Sequence, residues 1–208
     1  MRKSLVVALV LVAAASVGSA QTTLQAYPPP ANNGGSSGWA MFMDLTATAP
    51  DIVVNELVTA SSAAAGAQFN VEVFTYPGSA LGQAGPGSSP TGWTSLGVAL
   101  ATQGAQGSTG VSLPIKIPPI ALTQGQVTGV ALLFTGAGPR YYGTGTPPYT
   151  TFQDANLTLV TGDARSAPFT SGGSFFSSRA LVGSVTYVPE PSALALLAVG
   201  LLCARRGR

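Results

Sequence analysis

Short apolar runs alternate with polar residues along most of this chain, and Gly or Pro interrupts them at close intervals. Trp39-Ala40-Met41-Phe42-Met43-Asp44-Leu45-Thr46 places Trp39, Met41, Met43 and Leu45 on one side of an extended strand. Phe69 to Tyr76 places Phe69, Val71 and Val73 on one side and Asn70 and Glu72 on the other. A two-residue period is the mark of a half-buried strand. Asp51 to Thr59, Trp93 to Thr102, Gly110 to Ile117, Leu157 to Val160 and Ala180 to Tyr187 read as further strands. Gln124-Gly125 reads as a turn into Val127 to Phe134, a run so apolar that it belongs in the middle of a sheet with both faces covered. No stretch between the ends has a convincing helical period. About nine or ten strands separated by turn residues predict a single antiparallel β-sandwich over residues 39–187. Trp39, Met41, Val71, Val73, Val130, Leu132, Val182 and Val185 are its expected core. Residues 21–38, with Pro28-Pro29-Pro30 and a Gly-Ser-Asn run, read as a flexible lead-in. Two long connections, Pro77 to Gly92 and Gly136 to Thr151, stand out as places where function collects.

The two ends follow a different pattern. Arg2 and Lys3 precede an apolar run from Leu5 to Val17, and Gly18-Ser19-Ala20 offers small residues for cleavage. This predicts a signal helix in residues 1–20, removed by signal peptidase after Ala20. At the other end, Val188-Pro189-Glu190-Pro191-Ser192 leads into an apolar helix from Ala193 to Ala204, closed by Arg205, Arg206, Gly207 and Arg208. The prolines fix φ and lack donors, so Pro189-Glu190-Pro191 is expected to be extended. The apolar run is shorter than the ~20 residues of an ordinary span, which suits a temporary transmembrane helix. The arginines hold its end on the cytoplasmic side.

That C-terminal layout resembles the PEP-CTERM sorting signal, over residues 188–208 only. The resemblance implies an exosortase as partner, sorting residues Pro189, Glu190, Pro191, Arg205, Arg206 and Arg208, passage through the inner membrane, and a cell-surface or extracellular destination. It also implies an association with exopolysaccharide, and so a structural or adhesive role. A second, looser resemblance rests on Arg140-Tyr141-Tyr142, Tyr149, Asp154 to Leu159, Pro168-Phe169, Ser174 to Arg179 and Gly183 to Tyr187. These segments look like the C-terminal half of jelly-roll domains in exported bacterial surface proteins. That resemblance implies that Ala180 to Tyr187 is the last strand, paired with Trp39 to Thr46.

Charge and composition narrow the chemistry. Charged residues make up 8% of the chain, and its +2 formal charge comes from the two ends. Between them, Asp44, Asp51, Glu56, Glu72, Asp154 and Asp163 outnumber Lys116, Arg140, Arg165 and Arg179. No basic patch is available for a nucleic acid. The sequence has no histidine, and its single cysteine, Cys203, lies in the C-terminal apolar run. Histidine-based triads, histidine metal sites, thiol catalysis and disulfides are therefore ruled out for the exported region. Paired acids for glycoside hydrolysis are not picked out by any spacing. The chain reads as non-enzymatic and without a cofactor. Asp154 and Asp163 flank a strand, as Asp44 and Asp51 flank a turn, and Asp154 and Asp163 are candidates for calcium, which prefers hard oxygen ligands. Tyr141, Tyr142, Tyr149 and Trp93 lie in or beside the long connections. They are candidate glycan contacts, because aromatic rings suit partly wet surfaces. A carbohydrate-binding module is the alternative to a structural matrix protein.

Overall fold

The computed structural model describes residues 20–50, 52–144 and 149–189. Thirteen strands follow in order: β1 Thr22–Gln25, β2 Asn33–Gly34, β3 Ala40–Ala47, β4 Ile52–Ser61, β5 Gln68–Pro77, β6 Thr94–Thr102, β7 Ile115–Leu122, β8 Val127–Thr135, β9 Pro139–Gly143, β10 Thr150–Gln153, β11 Leu157–Arg165, β12 Phe175–Leu181 and β13 Gly183–Pro189. The expected signal helix and C-terminal apolar helix lie outside the described residues. Among those described, no helix is long and apolar enough to cross a membrane.

All the strand pairs are antiparallel. One layer runs β1-β13-β4-β7, and the other runs β6-β5-β8-β3-β11-β12-β9. β10 also pairs with β11, and β2 pairs with β9. Ala60 and Ser61 at the end of β4 pair with Arg140 and Pro139 of β9, so β4 joins the layers along one side. The chain changes layers again between β12 and β13. Gly183 makes this corner possible: its φ is +136°, and a Cβ there would lie 2.0 Å from the Val58 carbonyl oxygen. Only glycine accepts both conditions.

The layers enclose one large core that includes Met41, Met43 and Leu45 of β3, Phe69, Val71 and Val73 of β5, and Val130, Leu132 and Phe134 of β8. The predicted core residues are buried except Trp39, which is half-buried and stacks on Phe176 at 5.1 Å. β8 lies between β3 and β5, as its unbroken apolar run required. Its outer face is covered by a second, smaller core. There Ala40, Phe42, Ala80 and Ala131 pack with Phe74, Leu81, Trp93, Leu133 and Phe169 beneath the β5–β6 connection.

Three expectations are corrected. Residues 21–38 are not a free lead-in. Thr22 to Gln25 pair with Tyr187 to Ser184, Leu24 enters the main core, and Asn33 and Gly34 pair with Tyr141 and Arg140. The last strand does not join Trp39 to Thr46. That segment runs between β8 and β11, and β13 runs between β1 and β4. The strand expected at Gly110 to Ile117 lies at Ile115–Leu122, with Pro118 and Pro119 inside it. Prolines are tolerated there because β7 pairs only with β4 and its other side needs no donors.

Candidate functional site

The sorting segment begins inside the fold. Val188 and Pro189 are the last residues of β13, opposite Val53 and Ile52 of β4. Proline suits the final position of a strand, where its missing donor breaks no ladder. Glu190, Pro191, Arg205, Arg206 and Arg208 lie outside the described residues. Tyr187, just before this end, is fully buried, and its hydroxyl donates to the Asp154 carboxylate at 3.0 Å.

The predicted aromatic group is not brought together. Tyr141 belongs to β9 and is 1% exposed, so its ring is part of the main core and is removed as a glycan contact. Arg179 sits over that ring at 5.8 Å. Tyr142 points the other way and stacks on Tyr27 at 4.4 Å. Two tyrosines adjacent in a strand must face opposite sides. Tyr149 donates its hydroxyl to Asp163 Oδ2 at 3.0 Å. Burial and the Asp163 carboxylate push its phenol up to about 12. Trp93 donates its indole N–H to the Pro86 carbonyl at 3.0 Å and packs against Phe42, Phe169 and Tyr76.

The two calcium candidates are also far apart. Asp154 closes the β10–β11 hairpin: its Oδ1 accepts the backbone N–H of Asn156 and of Leu157, each at 2.9 Å. Asp163 lies near the other end of β11, roughly 20 Å from Leu157 along the strand. Among the described residues, no group of three or more metal-binding side chains forms.

Asp163 instead shares a covered face with Asp44 of β3. Both lie on the outer face of the larger layer, beneath the β5–β6 connection. Asp44 accepts the Ser79 hydroxyl at 2.5 Å and the Ala80 N–H at 2.7 Å. Asp163 accepts the Gly82 N–H at 2.7 Å. Arg165 donates to the carbonyls of Gly82 at 3.1 Å and Gln83 at 2.7 Å. Burial raises both carboxyls above their ordinary value, and these hydrogen bonds oppose that rise only in part. The trio is a latch that binds the connection's backbone to the sheet and seals the smaller core. Alternation alone assigns the Ala40, Phe42 and Asp44 side of β3 to solvent, and only the packing of the β5–β6 connection covers it.

A surface groove of about 500 Å³ opens where β5, β6 and β8 meet. Thr75, Tyr76, Pro77, Gly78, Thr94, Gln126, Val127 and Thr128 line it. Val127 is 40% exposed. The side chains of Thr75, Thr94, Gln126 and Thr128 make no hydrogen bond to another described residue. Sequence reading missed this site because its lining comes from three separate segments.

No curated protein matches the chain. The family model described as the PEP-CTERM protein-sorting motif matches residues 188–208. The match starts at Val188, within the last strand of the sandwich, and thus the chain carries at the end of its β-sandwich a PEP-CTERM sorting motif, which implies processing by an exosortase and export.

Proposed function

We propose that the protein is a non-catalytic structural or adhesive component of the cell surface or extracellular matrix, associated with exopolysaccharide. Signal peptidase frees residue 21, the C-terminal apolar run holds the chain briefly in the membrane, and exosortase removes that run. The observation that carries this reading is the sorting motif joined directly to the last strand of the sandwich. A compact domain with both termini at one end suits tethering followed by release, since Thr22 pairs with Tyr187. The chemistry of the chain supports a role without catalysis, because histidine is absent and cysteine is confined to the tail.

The test is the processing of Glu190→Ala in the producing cell. Mass spectrometry of both termini should find the wild type starting near Gln21 and lacking the apolar tail, while the variant stays in the membrane fraction with its tail intact. Normal trimming of the variant would refute exosortase sorting through this motif. Glycan binding is a second reading, favoured by the groove at the β5–β6–β8 end.

A further inference from the structure

We infer that the groove at the β5–β6–β8 end is a binding site for a neutral glycan, with Tyr76 as the ring on which a sugar stacks. This assignment rests on the carbohydrate-binding reading and gives that reading a place and a ligand class. The groove's volume of about 500 Å³ lies in the ordinary range for small-ligand sites. Its lining divides in two. Tyr76, Pro77 and Val127 supply apolar surface, and Thr75, Thr94, Gln126 and Thr128 supply hydroxyl and amide groups. A pyranose divides the same way, with C–H groups on its faces and hydroxyls around its rim. Aromatic rings of intermediate polarity suit the faces. The polar groups have no partner within the described protein, so a sugar hydroxyl replaces water rather than an internal hydrogen bond.

No ionisable side chain other than the Tyr76 phenol lines the groove. A uronate, sulfate or phosphate group would lose hydration there and meet no cation, which selects an uncharged sugar. The platform is also fixed in advance. Gly92, at φ +83°, brings its backbone so close that a Cβ would lie 2.8 Å from Tyr76 Cε2. Trp93 supports the ring from 5.3 Å away. Ordering the ring therefore costs binding little. Trp93 itself is committed to the Pro86 carbonyl and the smaller core, and Tyr142 to Tyr27. Tyr76, by contrast, lies in the groove beside the unpartnered Thr75, Thr94, Gln126 and Thr128.

The groove is shallow, so each contact is weak and a polymer binds better than a short oligosaccharide. The experiment is affinity electrophoresis of the secreted protein through gels containing a soluble neutral β-glucan, a neutral galactomannan, anionic alginate, or the producer's own exopolysaccharide. The wild type should be retarded by at least one neutral polymer and not by alginate. Tyr76→Ala should weaken that binding by about tenfold. Val127→Glu, at an exposed position, should do the same by placing a charge in the groove without touching the core. Tyr142→Ala should bind as the wild type does. If the wild type is retarded by no polymer, carbohydrate binding itself fails. If it is retarded but the Tyr76 and Val127 variants match it, glycan binding survives and this groove is not the site. Loss in the Tyr142 variant alone moves the site to the Tyr27–Tyr142 stack, and retardation by alginate alone refutes the neutral ligand.

Discussion

Asp44 and Asp163 show how a single residue links burial to solution conditions. Each carboxyl is almost out of contact with water, at 7% and 1% exposure, and each holds backbone of the β5–β6 connection. Burial lifts both above the unfolded value of 3.8. The folded state therefore binds these protons more tightly than the unfolded state, and stability falls as pH rises. The contribution is complete below 3.8 and is lost as pH climbs through the raised folded values. The thermal midpoint, followed by circular dichroism, should accordingly rise as pH is lowered from neutral toward 3.8. Asp163→Asn keeps an oxygen to accept from Gly82 and Tyr149 but removes the titrating charge, so its midpoint should depend less on pH. A wild-type midpoint that is flat or falls over that interval would contradict the latch as described. Asp163 Oδ1 is buried without a hydrogen-bond partner among the described residues, so burial weighs against the charged form of this carboxyl.

At the scale of elements, β1 carries the clearest difference between expectation and structure. Its sequence, Thr22-Thr23-Leu24-Gln25, contains one apolar residue, too few for any periodic signal. It is ordered by its neighbour: β13 has an open side, and β1 pairs with it while Leu24 fills the core. Leu24→Ala should cost about 2–5 kcal/mol in urea denaturation, the usual range for such a truncation in a core. A cost near zero would restore residues 21–38 as a loose lead-in. The same physics separates the other legible and illegible elements. β3, β5 and β8 have enough alternating or continuous apolar positions to be read directly, and all three are central. β9 lies in a stretch of Gly and Pro and is recruited by β12, β2 and the end of β4. β12 and β13 read as one strand because nothing in Val182-Gly183 announces a change of layer. The candidate site was legible only where it is local. The sorting motif is contiguous and was read complete, whereas the groove and the Asp44–Asp163 latch depend on pairing between distant segments. Trp93 was singled out as a contact but supports the platform from behind, and Tyr76 was passed over as the end of a strand.

For the whole molecule, the placement of the two ends matters most. β1 begins two residues after the expected signal-peptidase site, and β13 ends at the first proline of the sorting motif. The two strands lie side by side, so both proposed processing sites border the same end of the sandwich. The groove lies at this end too, because Leu122 and Pro189 both stand opposite Ile52, and the turn after Leu122 leads to Gln126 and Val127. The folded unit is thus set by hydrogen bonding rather than by the composition boundary at Gly38. Backbone held in a sheet resists proteolysis to the extent that local opening is costly. Limited digestion of the folded protein with a protease of broad specificity should leave a resistant fragment that still contains both Thr22 and Pro189, by intact-mass measurement. Loss of residues 21–38 with the remainder intact would show that β1 opens independently of the sandwich. Trimming back through Val188 to Tyr187 would show the same for the end of β13. Retention of both would place the boundary of the stable domain at the motif itself, leaving exosortase to act on Glu190 and beyond while Val188 and Pro189 remain paired with β4.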